Sequence, residues 1–142
     1  MKNLNQDHAA FILRLALGSV LLSHGLLKIL VFGVSGTVGY FASLGLPSVV
    51  AYLTIFGEIT AGLAIISGVL TRLAASLSLP ILIGATWAHL GNGWVFSSAG
   101  GGWEFPALLV VLALAISIQG AGSYALDQLI SSRSTAASPQ AV

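Results

Sequence analysis

The chain contains no cysteine, which excludes disulfides, thiolate metal sites, CxxC redox chemistry and a cysteine nucleophile. Charge is nearly as scarce. Five Lys or Arg and four Asp or Glu are all that 142 residues carry, 6% of the chain against a hydrophobic class of 56%. A soluble domain has about a quarter of its residues charged. Mean hydropathy is +0.98. Such a chain cannot cover a water-soluble globule with polar groups, and no stripe of Lys, Arg or Glu marks a wet helix face. A net charge of +1 gives no nucleic-acid footprint. No P-loop or dinucleotide fingerprint is present: Gly100, Gly101 and Gly102 are not followed by GK[ST] and do not follow a strand pattern.

Long apolar runs are what the chain does have. A helix needs about 20 apolar residues to cross a bilayer, and Ala9 to Val31, Val49 to Thr71, Leu73 to Leu90 and Phe105 to Leu126 all qualify. Backbone groups in lipid must bond internally, so these runs are read as helices. They lack the short polar–apolar alternation of a membrane barrel. The expectation is an all-α transmembrane four-helix bundle of antiparallel up-down topology, a single domain over residues 1–130. A polar, disordered tail is expected over 131–142. Between helices 1 and 2, Val38, Tyr40, Phe41 and Leu44 suit a short interfacial helix ahead of Pro47. The first run is too long for a secretory signal and has no prompt small-x-small cleavage site. Lys2, Arg14, Arg72 and Arg133 fall on one side of four crossings, so the positive-inside rule predicts both termini in the cytoplasm.

Polar residues then give the helices phase. At about 100° per residue, Arg14, Gly18, Leu21, Gly25 and Lys28 share a stripe with His24 beside it. Glu58 shares a face with Ala51, Thr54, Ala61, Gly62 and Ile65, His89 lines up with Ser78, Leu82 and Ala85, and Glu104 precedes a stripe of Leu108, Val111, Ala115 and Gly122. Turned inward, these faces bring His24, Lys28, Glu58, His89 and Glu104 toward one mouth. Gly18, Gly25, Gly57, Gly62, Gly68, Gly120 and Gly122 read as close-packing positions.

Glu58 lies roughly 13 Å into its helix, where an ionised carboxylate costs on the order of 2.5–3.5 kcal/mol. His24 or Lys28 can offset that cost as a partner. Lys28 and Arg14 are also long enough to snorkel to the interface. A structural role stands beside each functional one, because Glu58 can simply lock two helices together and His89 can sit at the interface. A divalent metal would draw each ligand from a different helix, with no HxxxH or ExxH pair. A quinone suits the set better. Imidazole and carboxylate can bond its carbonyl and move its protons while the bundle or lipid holds its tail. With no redox cofactor motif in the chain, the electrons must come from elsewhere.

The sequences LRLALGSVLLSHGLLKI, FGEITAGLAIISGVLTRLAA and GGWEFPALLVVLALAISIQGAGSYALD resemble, in order and spacing, those of the DoxX family of small membrane proteins. The likeness runs from about Phe11 to Asp127. It implies four helices in the inner membrane of a prokaryote. It also implies association with redox complexes, the namesake with a thiosulfate:quinone oxidoreductase and others with oxidative-stress or thiol-redox assemblies. The positions carried over are Arg14, His24, Lys28, Glu58, Arg72, Glu104 and Asp127, while Trp103 stands where the family often has Asn or Asp. The leading expectation is a subunit of a membrane redox complex. Its partners would be lipid, quinone and a soluble or membrane redox protein, with room for a homo-oligomer. A small-solute carrier or permease and a non-catalytic structural anchor are the alternatives.

Overall fold

A computed structural model describes residues 4–128. The expected tail over 131–142 lies outside the described residues, as do Lys2 and Arg133. Five α-helices form, α1 (Leu4–Leu30), α2 (Gly33–Ser43), α3 (Ser48–Ser67), α4 (Thr71–His89) and α5 (Glu104–Gln119), with a 3-10 turn at Leu90–Asn92 after α4. The segments Asn5–Leu30, Ser48–Ser67 and Thr71–Asn92 are long and apolar enough to cross a membrane, so the chain is a multi-pass membrane protein. α5 has 16 residues, about 24 Å at 1.5 Å per residue against a hydrocarbon layer of about 30 Å. The four-helix transmembrane bundle is therefore corrected to three spanning helices among six helical elements in the described residues. The helix expected between the first two spans is present as α2.

Two glycines explain the difference. Gly120 has φ 84°, a conformation that residues with a Cβ rarely adopt, and it stops α5 seven residues short of the expected end. Gly68, at φ 78°, ends α3 in the same way. The N–H groups of Gly68 and Val69 both donate to the Ala64 carbonyl, at 2.9 and 3.0 Å, closing the helix end with a left-handed cap. The reversal into α4 thus falls at Gly68 to Leu70, earlier than expected at Thr71 and Arg72.

α1 and α3 run antiparallel in close contact. A Cβ on Gly62 would lie 2.7 Å from the Leu22 nitrogen and 2.9 Å from the Gly18 oxygen. Without water expulsion to drive association, such backbone proximity is how membrane helices gain packing energy. Leu17, Leu21, Ile65, Ala75, Leu82, Ala113 and Ile116 form the core beside this contact. On α3 the buried face is the expected one, including Ala51, Glu58, Ala61, Gly62 and Ile65. On α5 it is not. Leu109, Ala113 and Ile116 are buried, while Leu108 and Val111 are each 62% exposed. α5 is apolar all round, so its sequence carries no phase.

Arg14 does not snorkel. It is 1% exposed and donates to four carbonyls: Ile65 at 2.9 Å, Ile66 at 2.8 Å, Ala121 at 2.7 Å and Tyr124 at 2.9 Å. It therefore binds the open carbonyl end of α3 to the segment that follows α5. Asp7 accepts from the Ser123 N–H and hydroxyl at 2.8 and 2.7 Å, and Asp127 accepts from the Leu70 N–H at 2.8 Å. The end of α5 is thereby tied to the start of α1 and to the α3–α4 turn.

Arg14→Met should strand these carbonyls and lower stability by about 3 kcal/mol, with Arg14→Lys recovering only part because an ammonium has fewer donors. Thermal melts in detergent test this, and a wild-type melt for Arg14→Met would count against it. Gly62→Ala should cost about 1–3 kcal/mol through overpacking. Gly36→Ala, whose Cβ would meet nothing within 4 Å, should be tolerated in the same assay.

Candidate functional site

At the opposite end of the α1–α3 contact, Lys28 Nζ lies 2.8 Å from each carboxylate oxygen of Glu58. The antiparallel register places the last turn of α1 beside the middle of α3, and Gly25 allows the approach: a Cβ there would be 3.2 Å from the Ile59 nitrogen. The two side chains are 17% and 8% exposed, so the pair is largely removed from water. Both carboxylate oxygens are used, while the ammonium keeps donor capacity beyond Glu58. The Thr37 hydroxyl donates to the Lys28 carbonyl at 3.0 Å, which fastens α2 across the end of α1.

Two histidines face the same space. His24 Nδ1 is 2.9 Å from the Val20 carbonyl, and His89 Nδ1 is 2.8 Å from the Ala85 carbonyl. A carbonyl only accepts, so these contacts put the proton of each neutral ring on Nδ1 and leave Nε2 as a lone-pair site. Among the described residues no group hydrogen-bonds either Nε2. The His24 ring also stacks on Phe105, with centroids 6.5 Å apart.

His24, Lys28, Glu58 and His89 line one cavity of about 250 Å³, whose apolar wall includes Val20, Leu21, Leu82 and Leu109. Glu104, the fifth expected member, is not among them. Its Oε1 accepts the Phe96 N–H at 2.7 Å, and it borders a separate hollow beside Trp94 and Leu108. Its place at the start of α5 makes it a brace for the preceding loop. Among the described residues no group of three His, Asp or Glu is placed to hold a metal ion.

That loop is knitted rather than loose. The Asn92 amide donates to the Gly100 and Gly101 carbonyls at 3.0 and 2.9 Å, and the Trp103 and Glu104 N–H groups donate to Gly93 and Trp94 at 3.1 Å each. Trp94 and Trp103 meet edge to face, 4.4 Å between centroids. Phe96, Gly101 and Gly102 thereby close one side of the cavity. Sequence reasoning missed Phe96 and Phe105 because apolar residues carry no signal in so apolar a chain. Asn92, between two glycines, did carry a turn signal.

The sequence model of the DoxX family matches residues 9–91. A Bacillus subtilis (strain 168) protein named "Putative oxidoreductase CatD" is 30% identical over 128 residues, spanning 90% of this chain and 91% of that protein. A Haemophilus influenzae protein described only as "Uncharacterized protein" is 41% identical over 66 residues, 46% of this chain and 43% of that one. No solved structure gives a significant match. His24, Lys28, Glu58 and His89 all fall inside the matched residues, and Glu104 falls outside.

Lys28→Met or Glu58→Gln alone should lower stability by roughly 3 kcal/mol, because each strands a buried partner. The double variant should lose much less than the sum. A double-mutant cycle on thermal melts measures the coupling, and simple additivity would contradict the ion pair as described.

Proposed function

Because this chain belongs to the DoxX family, we propose that it is the integral membrane subunit of a redox complex whose polar cavity receives a quinone head group while a partner protein supplies electrons. One observation carries this reading: four hydrogen-bonding side chains from three helices converge on a single cavity with apolar walls. Pockets of that character bind small amphipathic ligands. The name of the Bacillus subtilis relative adds the word oxidoreductase.

The residues present fit such a group. A bound quinone supplies two-electron, two-proton chemistry. Lys28 has an N–H left over from Glu58 and can donate it to a carbonyl. His24 and His89 present Nε2, which accepts a hydroxyl when neutral and donates once protonated, so each can hold or pass a proton at that atom. Glu58 holds the Lys28 side chain in position. The cavity of about 250 Å³ suits a ring rather than a long tail, which would lie in the surrounding lipid. The positive-inside rule puts the end bearing Arg14 and Arg72 in the cytoplasm of a prokaryotic inner membrane.

Titration of the purified protein with a short-chain quinone, followed by calorimetry, tests this. His24→Ala and Glu58→Gln should each weaken binding about tenfold, the equivalent of one good hydrogen bond. Glu104→Gln should leave binding unchanged. Equal affinity in wild type, His24→Ala and Glu58→Gln would sink the assignment, and solute flux into liposomes without any electron donor would favour a carrier instead.

A further inference from the structure

The Lys28–Glu58 pair has a second side. Lys28, Glu58 and His89 also border a distinct chamber of about 280 Å³ enclosed by α2, α3 and α4. Apart from Ala85, which borders both, its remaining lining differs from that of the first cavity. Tyr40 and Phe41 come from α2, Trp87 from α4, and Leu44 and Leu46 from the connection into α3. An apolar cavity of about 150 Å³ already holds a benzene ring, so this volume takes a substituted one, and aromatic walls favour a planar guest.

The chamber has a polar feature of its own. Thr54 lines it, and its hydroxyl makes no hydrogen bond among the described residues. Thr60 and Ser67 on the same helix do bond back, to the Phe56 and Ala64 carbonyls at 2.8 and 3.1 Å. That back-bond is the usual refuge of a hydroxyl within a membrane helix. Thr54 thus offers a donor and an acceptor away from the wall where Lys28, Glu58 and His89 border the first cavity. The chamber also has an opening. Gly84 lines it and is exposed, and a Cβ there would meet nothing within 4 Å. It sits about 8 Å from the end of α4, inside a segment long and apolar enough to cross a membrane.

We propose that this chamber is a second ligand site, which admits from the bilayer, past Gly84, an uncharged monocyclic aromatic molecule carrying one hydroxyl or carbonyl for Thr54. The ion pair, together with Ala85 and His89, is the wall between this site and the head-group cavity. The two sites are separately testable, since His24 lines only the first and Thr54 and Gly84 only the second.

Trp87 reports on occupancy. In a Trp94→Phe/Trp103→Phe background it is the remaining tryptophan, and 4-bromophenol, uncharged at neutral pH, serves as a contact quencher. Saturable quenching is expected, abolished by Gly84→Phe, which plugs the opening, and retained in Gly84→Ala. Thr54→Val should weaken it about fivefold, the loss of one hydrogen bond. His24→Ala should leave it intact while weakening quinone binding, so failure of one site is distinguishable from failure of the other. The same contrast can be read without altering the tryptophans, as a thermal upshift by 4-bromophenol that Gly84→Phe removes. Quenching that rises linearly with probe, or that is identical in Gly84→Phe, would overturn the proposal.

Discussion

Hydrocarbon offers a charged side chain no water, so the protein itself must supply every partner. In this chain two such demands are met at opposite ends of one helix pair. Arg14 of α1 takes the carbonyls of Ile65 and Ile66 at the end of α3, and Lys28 of α1 takes the carboxylate of Glu58 in its middle. Between them Gly18 meets Gly62, and Gly25 meets Ile59. The register of α1 on α3 is therefore set at four heights. A slip of one turn would strand both cations and drive side chains into backbone. α2, α4 and α5 are arranged around a pair whose alignment is already determined.

The same constraint joins structure to function at Glu58. A lock between helices and a ligand-facing carboxylate look like competing roles, yet the proposed site would use one residue for both. Pairing satisfies Glu58 and fixes α1 against α3, and it also delivers the Lys28 ammonium, with donor capacity to spare, to a cavity that His24 and His89 enter from either side. Under the proposed function, loss of Glu58 would therefore disturb stability and binding together. His24 is exposed, hydrogen-bonds only its own helix and touches α5 through the Phe105 ring, so its removal separates the two effects.

How much of this the sequence disclosed depended on whether polar residues marked the helices. α1, α3 and α4 carry Arg14, Lys28, Glu58 and His89, and the period of about 3.6 residues placed four of the five expected site residues at one cavity. α5 carries no such mark after Glu104, and its inward face was misassigned. Glycine was the other ambiguity. Gly18 and Gly62 are close-packing positions as expected, and Gly68 and Gly120, close-packed against Ala125 and Arg72, also terminate helices. An apolar run reads the same in either case, because the distinction lies in backbone φ. The four-span expectation failed at Gly120 for that reason. Arg14 was legible as an exception but not as a clamp, since its four acceptors include carbonyls more than 100 residues away in sequence.

The choice of base at the two ends follows from the number of acceptors each must serve. At position 14 the acceptors are four carbonyls on two separate segments, and a guanidinium has five N–H donors in a rigid fork to meet them. Four of its five donors are used, and at 1% exposure the fifth is out of a ligand's reach. At position 28 the acceptor is a single carboxylate, which an ammonium on a flexible stem can satisfy without exhausting its donors. Lysine there keeps a mobile cation at the boundary of two cavities, where arginine would fill space and bond bidentately to Glu58. Arginine builds the closed end of this protein, and lysine leaves a donor free at the other end.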